Sequence, residues 1–365
     1  MAPDRRRARQ DALVRLLDQE ALDGLLVSSH ANVRYLTGFS GSAALVAVTR
    51  GDVLLVTDFR YDEQARVEAG AVARIEVDGT SVWDRFFKEL PTLGGLERMG
   101  YEAHALSVHD AERFAQAGKA WRWTATTDLV ERLRATKDEG EVAAIASAAA
   151  LAGEALRETL PHVRPGLTEL AIAGVLEGAL RRRGSEGHPF ATIVASGPRS
   201  ALPHARSTGR PVAAGEWLLL DFGAQVDGYC ADITRTVVVG GRASERQRVL
   251  YELVRDAQRR ARMAVRAGMS GRDADALARE PIAARGFEEA FGHSLGHGLG
   301  LEVHEAPRLS KTNADPLPAG AVVTIEPGVY LAGEGGVRIE DDVHLPDGRG
   351  AELLSDGLTD LVELV

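Results

Sequence analysis

The sequence predicts two domains of different class: a smaller α/β domain over residues 1–130 and a larger α+β domain over residues 131–365, the latter built from duplicated halves. Three observations carry this. The first third alternates short apolar runs with helix-like segments, as layered α/β domains do. Beyond residue 160, ordered matches recur at offsets of 100–105 positions. And 365 residues are more than one hydrophobic core usually organises.

The elements follow in order. Residues 5–20 have amphipathic spacing, with Leu13, Leu16 and Leu17 on one face, and predict a helix. Its Arg5, Arg6, Arg7 and Arg9 read as a solvated face or a loose terminus. Residues 25–27, 44–48 and 53–56 are apolar runs bounded by Gly, Ser, Thr or Asp, and predict strands. Residues 83–90 and 108–117 predict helices, and the alternation ends near 121–128. Thr136-Lys137-Asp138-Glu139 then fits a capping box with Thr136 at the cap. It opens an alanine-rich helix that Pro161 stops.

The repeat comes next. Val163-Arg164-Pro165-Gly166-Leu167-Thr168 resembles Val265-Arg266-Ala267-Gly268-Met269-Ser270, and each precedes a helical pattern ending at Arg183-Gly184 or Arg285-Gly286. Residues 211–223 match 316–328 at an offset of 105, which pairs Gly215 with Gly320 and Asp221 with Glu326. Pro203-His204 matches Val303-His304 at an offset of 100. Matches in this order predict two equivalent halves, each with helices followed by an antiparallel hairpin. A pseudo-two-fold axis between them would bring equivalent carboxylates face to face.

Composition excludes several functions. Net charge is −10, which disfavours nucleic acid and anionic membranes, both of which need clustered Lys and Arg. The single cysteine, Cys230, permits no internal disulfide. With no apolar leader and no run of about 18 apolar residues, a cytoplasmic protein is expected.

The hairpins carry the chemistry. Trp217-Leu218-Leu219-Leu220 runs into Asp221, Asp227-Gly228 is a turn dipeptide, and Asp232 opens the returning run. Val322-Val323-Thr324-Ile325 runs into Glu326, Gly333, Gly335 and Gly336 supply a turn, and Val337-Arg338-Ile339 returns to Glu340. Taken singly, such an Asp is a turn or cap residue and such a Glu a solvated edge. Four carboxylates facing each other beside apolar neighbours are costly without a cation. Two divalent ions resolve that cost, and an oxygen-rich site suits Mn²⁺, with Co²⁺ or Zn²⁺ as alternatives. His293, His297 and His304 lie within twelve residues, among Gly296, Gly298 and Gly300 and directly after Gly292. The glycines break helical spacing, so this is not a His-Glu-x-x-His zinc helix.

These residues resemble the methionine aminopeptidase/prolidase superfamily of "pita-bread" metallopeptidases. The stretches are Leu220-Asp221-Phe222-Gly223, Asp232-Ile233-Thr234-Arg235-Thr236, Gly296-His297-Gly298-Leu299-Gly300, Val303-His304-Glu305, Ile325-Glu326-Pro327-Gly328 and Val337-Arg338-Ile339-Glu340-Asp341. Asn32-Val33-Arg34-Tyr35-Leu36-Thr37-Gly38-Phe39 and Thr57-Asp58-Phe59-Arg60-Tyr61 resemble the creatinase-type N-terminal domain of aminopeptidase P and prolidase.

The resemblance implies a pita-bread catalytic domain behind a creatinase-like one. It implies metal ligation by Asp221, Asp232, His297, Glu326 and Glu340. Catalytic roles fall on His204, His293, His304, Glu326 and Arg338, with Glu326 as proton shuttle and His204, His293 and His304 against the substrate. The implied reaction is hydrolysis, by a metal-bridging hydroxide, of the bond between an N-terminal residue and a following proline. The first expectation is an Xaa-Pro aminopeptidase; the alternative is an Xaa-Pro dipeptidase, with Arg308 pairing a free C-terminal carboxylate. A non-catalytic peptide-binding module is the reading from another class, and the complete ligand set speaks against it. A homodimer acting on peptides with proline at the second position is implied as well.

Overall fold

The short apolar runs form strands because they pack both faces against helices, and a run buried on both faces needs no polar alternation. The computed structural model describes residues 4–355 and 359–365. The chain divides into two compact units, Met1–Arg134 and Ala135–Val365.

The first unit contains α1 (Arg6–Gln19), β1 (Gly24–Val27), α2 (His30–Thr37), β2 (Ala44–Thr49), β3 (Val53–Asp58), α3 (Asp62–Ala69), β4 (Arg74–Asp78), α4 (Val82–Glu89), β5 (Arg98–Glu102), α5 (Val108–Ala117), β6 (Arg122–Thr126) and α6 (Leu129–Arg134). Its six-stranded sheet has the order β4-β3-β2-β1-β5-β6. The β1-β2-β3 ladders are antiparallel and the outer pairings parallel. One core joins Leu26, Leu45, Leu54 and Val56 of the sheet to Phe86, Phe87 and Phe114 of the helices. Ser81 and Ser107 cap α4 and α5 by accepting from backbone N–H groups three residues on.

The second unit opens with α7 (Glu139–Thr159) and α8 (Glu169–Arg182), which pack on β7 (Ile193–Ser196), β8 (Glu216–Phe222) and β11 (Ile233–Val239). Between β8 and β11 lies a small hairpin, β9 (Gln225–Val226) and β10 (Tyr229–Cys230). Then come α9 (Glu245–Ala264) and α10 (Gly271–Ala283), followed by β12 (Gly296–Gly298), β13 (Glu305–Leu309), β14 (Ala321–Ile325), β15 (Gly328–Leu331), β16 (Gly335–Arg338), β17 (Asp341–Leu345), β18 (Glu352–Leu353) and β19 (Val362–Leu364). The sheets run β19-β11-β8-β7 and β13-β12-β14-β17-β18, each with its own helix pair and core.

The duplication is visible in the hydrogen bonds. Thr168 bridges Pro211 and Ser270 bridges Pro316. Gly166 N donates to Val212 O and Gly268 N to Leu317 O, both at 2.8 Å. Glu169 N donates to Arg210 O and Gly271 N to Asp315 O, both at 3.1 Å. These partners stand at the offsets of 102 and 105 that the sequence shows.

Two local expectations shift. The capping box of α7 uses Asp138 and Glu141, not Thr136 and Glu139. Lys137 is drawn away instead: its N–H donates to Gly320 O at 2.9 Å, and its ammonium meets Glu305 at 3.0 Å in a buried pair. Those contacts hold residues 136–137 outside the helix. Asp138→Ala is therefore expected to destabilise the protein by about 1–2 kcal/mol, while exposed Thr136→Ala stays close to wild type; thermal unfolding of both variants checks this.

The second shift concerns the hairpins. Asp221 pairs with Thr234, so continuing the β8-β11 register sets Asp232 opposite Gly223. Ile325 pairs with Asp341 and Gly328 with Arg338, so Glu326 and Glu340 stand directly opposite. The two acid pairs are thus offset by two residues. A two-residue offset preserves the face on which a strand side chain lies, which keeps all four carboxylates on one side. Among the described residues, no helix is long and apolar enough to cross a membrane.

Candidate metal centre

The strands deliver their polar residues into one cavity of about 470 Å³. Asp221, Asp232, His204, His293, His297, His304, Arg308, Glu326, Arg338 and Glu340 all line it. Every site residue expected from the sequence is thereby brought together. Phe190, Ala191, Ile193, Pro203 and Val303 supply the apolar wall.

His297 lies on β12, between two glycines that the packing requires. A Cβ on Gly296 would stand 1.9 Å from Thr324 O, and one on Gly298 2.0 Å from Ala306 O. No side chain fits there, and the strand sinks deep enough to set His297 among the acids. His297 Nδ1 lies 3.0 Å from Gly298 O, a carbonyl that can only accept, so Nδ1 donates there and Nε2 is the nitrogen turned toward the acids. Nε2 faces Glu326 Oε1 at 3.3 Å and Asp232 Oδ2 at 3.8 Å. Asp232, His297 and Glu340 each offer a donor atom within 4.8 Å of the others.

Arg338 organises the opposite side. It donates to Thr234 Oγ1 (2.9 Å), Pro203 O (3.1 Å), Tyr330 OH (2.9 Å) and Asp221 Oδ2. The Pro203 contact ties down the segment that carries His204. That segment is also held by buried Glu169, which accepts from Ser196 N at 2.9 Å and Thr208 N at 3.0 Å. His304 is held through its neighbour Glu305, the partner of Lys137. Its ring lies 4.4 Å from that of His297.

The electrostatics show what the cluster lacks. Burial, then the charges of Glu340 and Asp221, raises Asp232 well above the usual carboxylate range. Burial, then Glu326 and Asp221, does the same to Glu340. Burial raises Asp221 against the pull of Arg338. Burial acts on Glu326 too, but its hydrogen bond with His297 and the neighbouring His293 and Arg338 bring it to about 2. Asp221 Oδ1 is buried with no hydrogen-bond partner. A carboxylate oxygen without a partner, beside acids that repel one another, calls for a cation. The four carboxylates and one imidazole therefore fit divalent metal ions.

Two contributors escaped sequence reasoning. Thr234 donates to Glu340 Oε2 at 2.5 Å. Tyr330 OH lies 2.9 Å from both His293 Nε2 and Arg338 Nη1, and burial pushes its phenol up to about 12. The signal for Tyr330 is its spacing of two from Gly328, the cross-strand partner of Arg338, which puts Tyr330 and Arg338 on one face of the β15-β16 hairpin. His293 Nδ1 lies 2.8 Å from Ser294 O, so both ring nitrogens are engaged. Burial lowers its pKa and favours the neutral ring.

Comparison with known proteins places these features. The model of metallopeptidase family M24 matches residues 143–347, and that of the creatinase/prolidase N-terminal domain matches residues 9–136. The Xaa-Pro dipeptidase of Pyrococcus furiosus is 35% identical over 95% of this chain and 97% of its own. The structure of an Xaa-Pro dipeptidase from Bacillus anthracis superposes with a TM-score of 0.93 at 36% identity, covering 98% of this chain and all of that one. That of an X-Pro aminopeptidase from Thermotoga maritima gives 0.89 at 38%, covering 97% and 99%.

Proposed function

The chain belongs to metallopeptidase family M24, and on that premise we propose that it is an Xaa-Pro dipeptidase with a two-metal site of Asp221, Asp232, His297, Glu326 and Glu340. The observation that carries the dipeptidase reading is Arg308. It lines the same cavity as the five proposed ligands, and it pairs with His297 across the β12-β13 ladder, so the two side chains share a face. A dipeptide's free carboxylate supplies a partner for this guanidinium in bidentate geometry. Several relatives similar over nearly the whole chain are Xaa-Pro dipeptidases. The aminopeptidase, the first expectation from the sequence, is the second reading, kept by the likeness to the Thermotoga protein.

Four carboxylates and one imidazole suit Mn²⁺ best. When bound, divalent ions supply Lewis acidity toward a carbonyl and acidify water. The chain's own residues do the rest. Glu326, held ionised, accepts the proton of the attacking water and returns it to the leaving nitrogen. In an Xaa-Pro dipeptide the proline residue alone separates the scissile carbonyl from the free carboxylate, so both ends of the substrate fall within the cavity that Arg308 shares with the acids. His304, an exposed residue that lines the cavity, donates to the scissile carbonyl oxygen. His293, with both nitrogens engaged, forms a wall of the proline pocket and, by fixing the ring, aligns the scissile carbonyl with Glu326, so that its displacement is felt in kcat. Phe190, Ile193 and Val303 recognise the ring by shape, since a bond to proline offers no amide hydrogen.

Hydrolysis of an Xaa-Pro dipeptide and of Xaa-Pro-Yaa tripeptides is compared with Mn²⁺ added. The dipeptide is expected to be cut and the tripeptides spared; efficient release of the first residue from tripeptides would return the aminopeptidase reading.

A further inference from the structure

Beneath the site, α10 carries a buried ion pair that no step above uses. Asp275 and Arg279 are one helical turn apart, with side chains 2% and 10% exposed. Arg279 Nε donates to Asp275 Oδ2 at 2.6 Å and Nη2 to Oδ1 at 2.8 Å. This bidentate pairing fixes the plane of the guanidinium. The remaining donors reach out of the helix: Nη1 to Phe291 O and Nη2 to His293 O, both at 2.7 Å. Asp275 Oδ1 also accepts from Leu295 N at 3.0 Å. The guanidinium carbon lies 4.1 Å from the centre of the Phe291 ring, and that ring meets His293 edge-on at 5.1 Å.

One helix thus grips three backbone positions around His293 and the aromatic ring against it. The grip is expensive to build, since a buried ion pair gains little over an apolar one in stability alone. Its geometric yield is specific. With the His293 backbone held, Nδ1 meets Ser294 O, and Nε2 meets Tyr330 OH, which takes its other hydrogen bond from Arg338.

We propose that Arg279, oriented by Asp275, is a positioning residue that sets the His293 imidazole against Tyr330 in the peptidase site. The proposal rests on the peptidase reading and on His293 as part of its substrate pocket. A lysine keeps the charge beside Asp275, but its three donors sit on one atom and cannot reproduce the four hydrogen bonds that Arg279 makes from three nitrogens.

The test uses full-length, metal-loaded protein and an Xaa-Pro dipeptide. Arg279→Lys is expected to lower kcat on the order of 10- to 100-fold, the usual effect of disturbing a group that orients a site residue. Metal content and the KM for the dipeptide should change by less than about twofold. Asp275→Asn, which preserves shape, should give a smaller loss of the same kind. In a His293→Ala background, Arg279→Lys should add less than about a twofold change, because coupled residues are not additive. In metal-free protein the His293 ring resonances should move in Arg279→Lys while those of His204 stay.

An unchanged kcat in His293→Ala would remove the reading of His293 and the proposal with it. A lowered kcat there, with Arg279→Lys at wild-type level or with losses that multiply in the double variant, would overturn the proposal alone.

Discussion

Asp232→Asn is expected to lose at least one bound metal ion per chain and to lower kcat/KM by on the order of a thousandfold or more. That corresponds to the several kcal/mol a metal contributes to the transition state. The substitution is nearly isosteric, so the fold should survive. A second consequence has the opposite sign. Burial and neighbouring acids raise Asp232 well above the carboxylate range, so at neutral pH its charge opposes folding of the metal-free protein. The metal-free Asn variant should then be at least as stable as metal-free wild type, while stabilisation by added Mn²⁺ shrinks. Metal analysis, turnover and thermal unfolding with and without Mn²⁺ measure all three. Retained activity with full metal content would exclude Asp232 as a ligand.

Arg308→Met should raise KM for an Xaa-Pro dipeptide on the order of 10- to 100-fold while changing kcat little. A hydrogen bond to a charged group contributes about 1.5–3 kcal/mol, and this one binds substrate and transition state alike, so the loss appears in KM. Arg308→Lys should recover part of it, since a point charge pairs with a carboxylate but not in a bidentate fork. An unchanged KM in Arg308→Met would show that the carboxylate is held elsewhere and would undo the main support for a dipeptide substrate.

Much of the site is legible before folding because strands have a period of two. Asp221 and Glu326 each end an apolar run, and the repeat marks them as equivalent. The histidine segment betrays itself through Gly296 and Gly298, where the backbone closely approaches Thr324 and Ala306. Family membership is readable from the ordered motifs alone. The offset between the acid pairs is not legible, because hairpin register is set by the small β9-β10 hairpin and by the break between β14 and β15. Nor is the start of α7, where two capping patterns overlap within six residues and a tertiary ion pair at Lys137 chooses between them.

The sequence by itself determined the candidate chemistry of this protein: its candidate donor residues, their duplicated order and a net charge of −10 that disfavours polyanionic partners. Tertiary structure alone decided how those donors are held. Arg338 meets Asp221 across 117 positions and Thr234 meets Glu340 across 106. Tyr330 joins Arg338 to His293, and Arg279 reaches over from a helix to the backbone beside them. Local propensity acts over a few residues, whereas a side-chain hydrogen bond needs only proximity in space. Contacts between residues a hundred positions apart therefore come into being when the two halves close on each other.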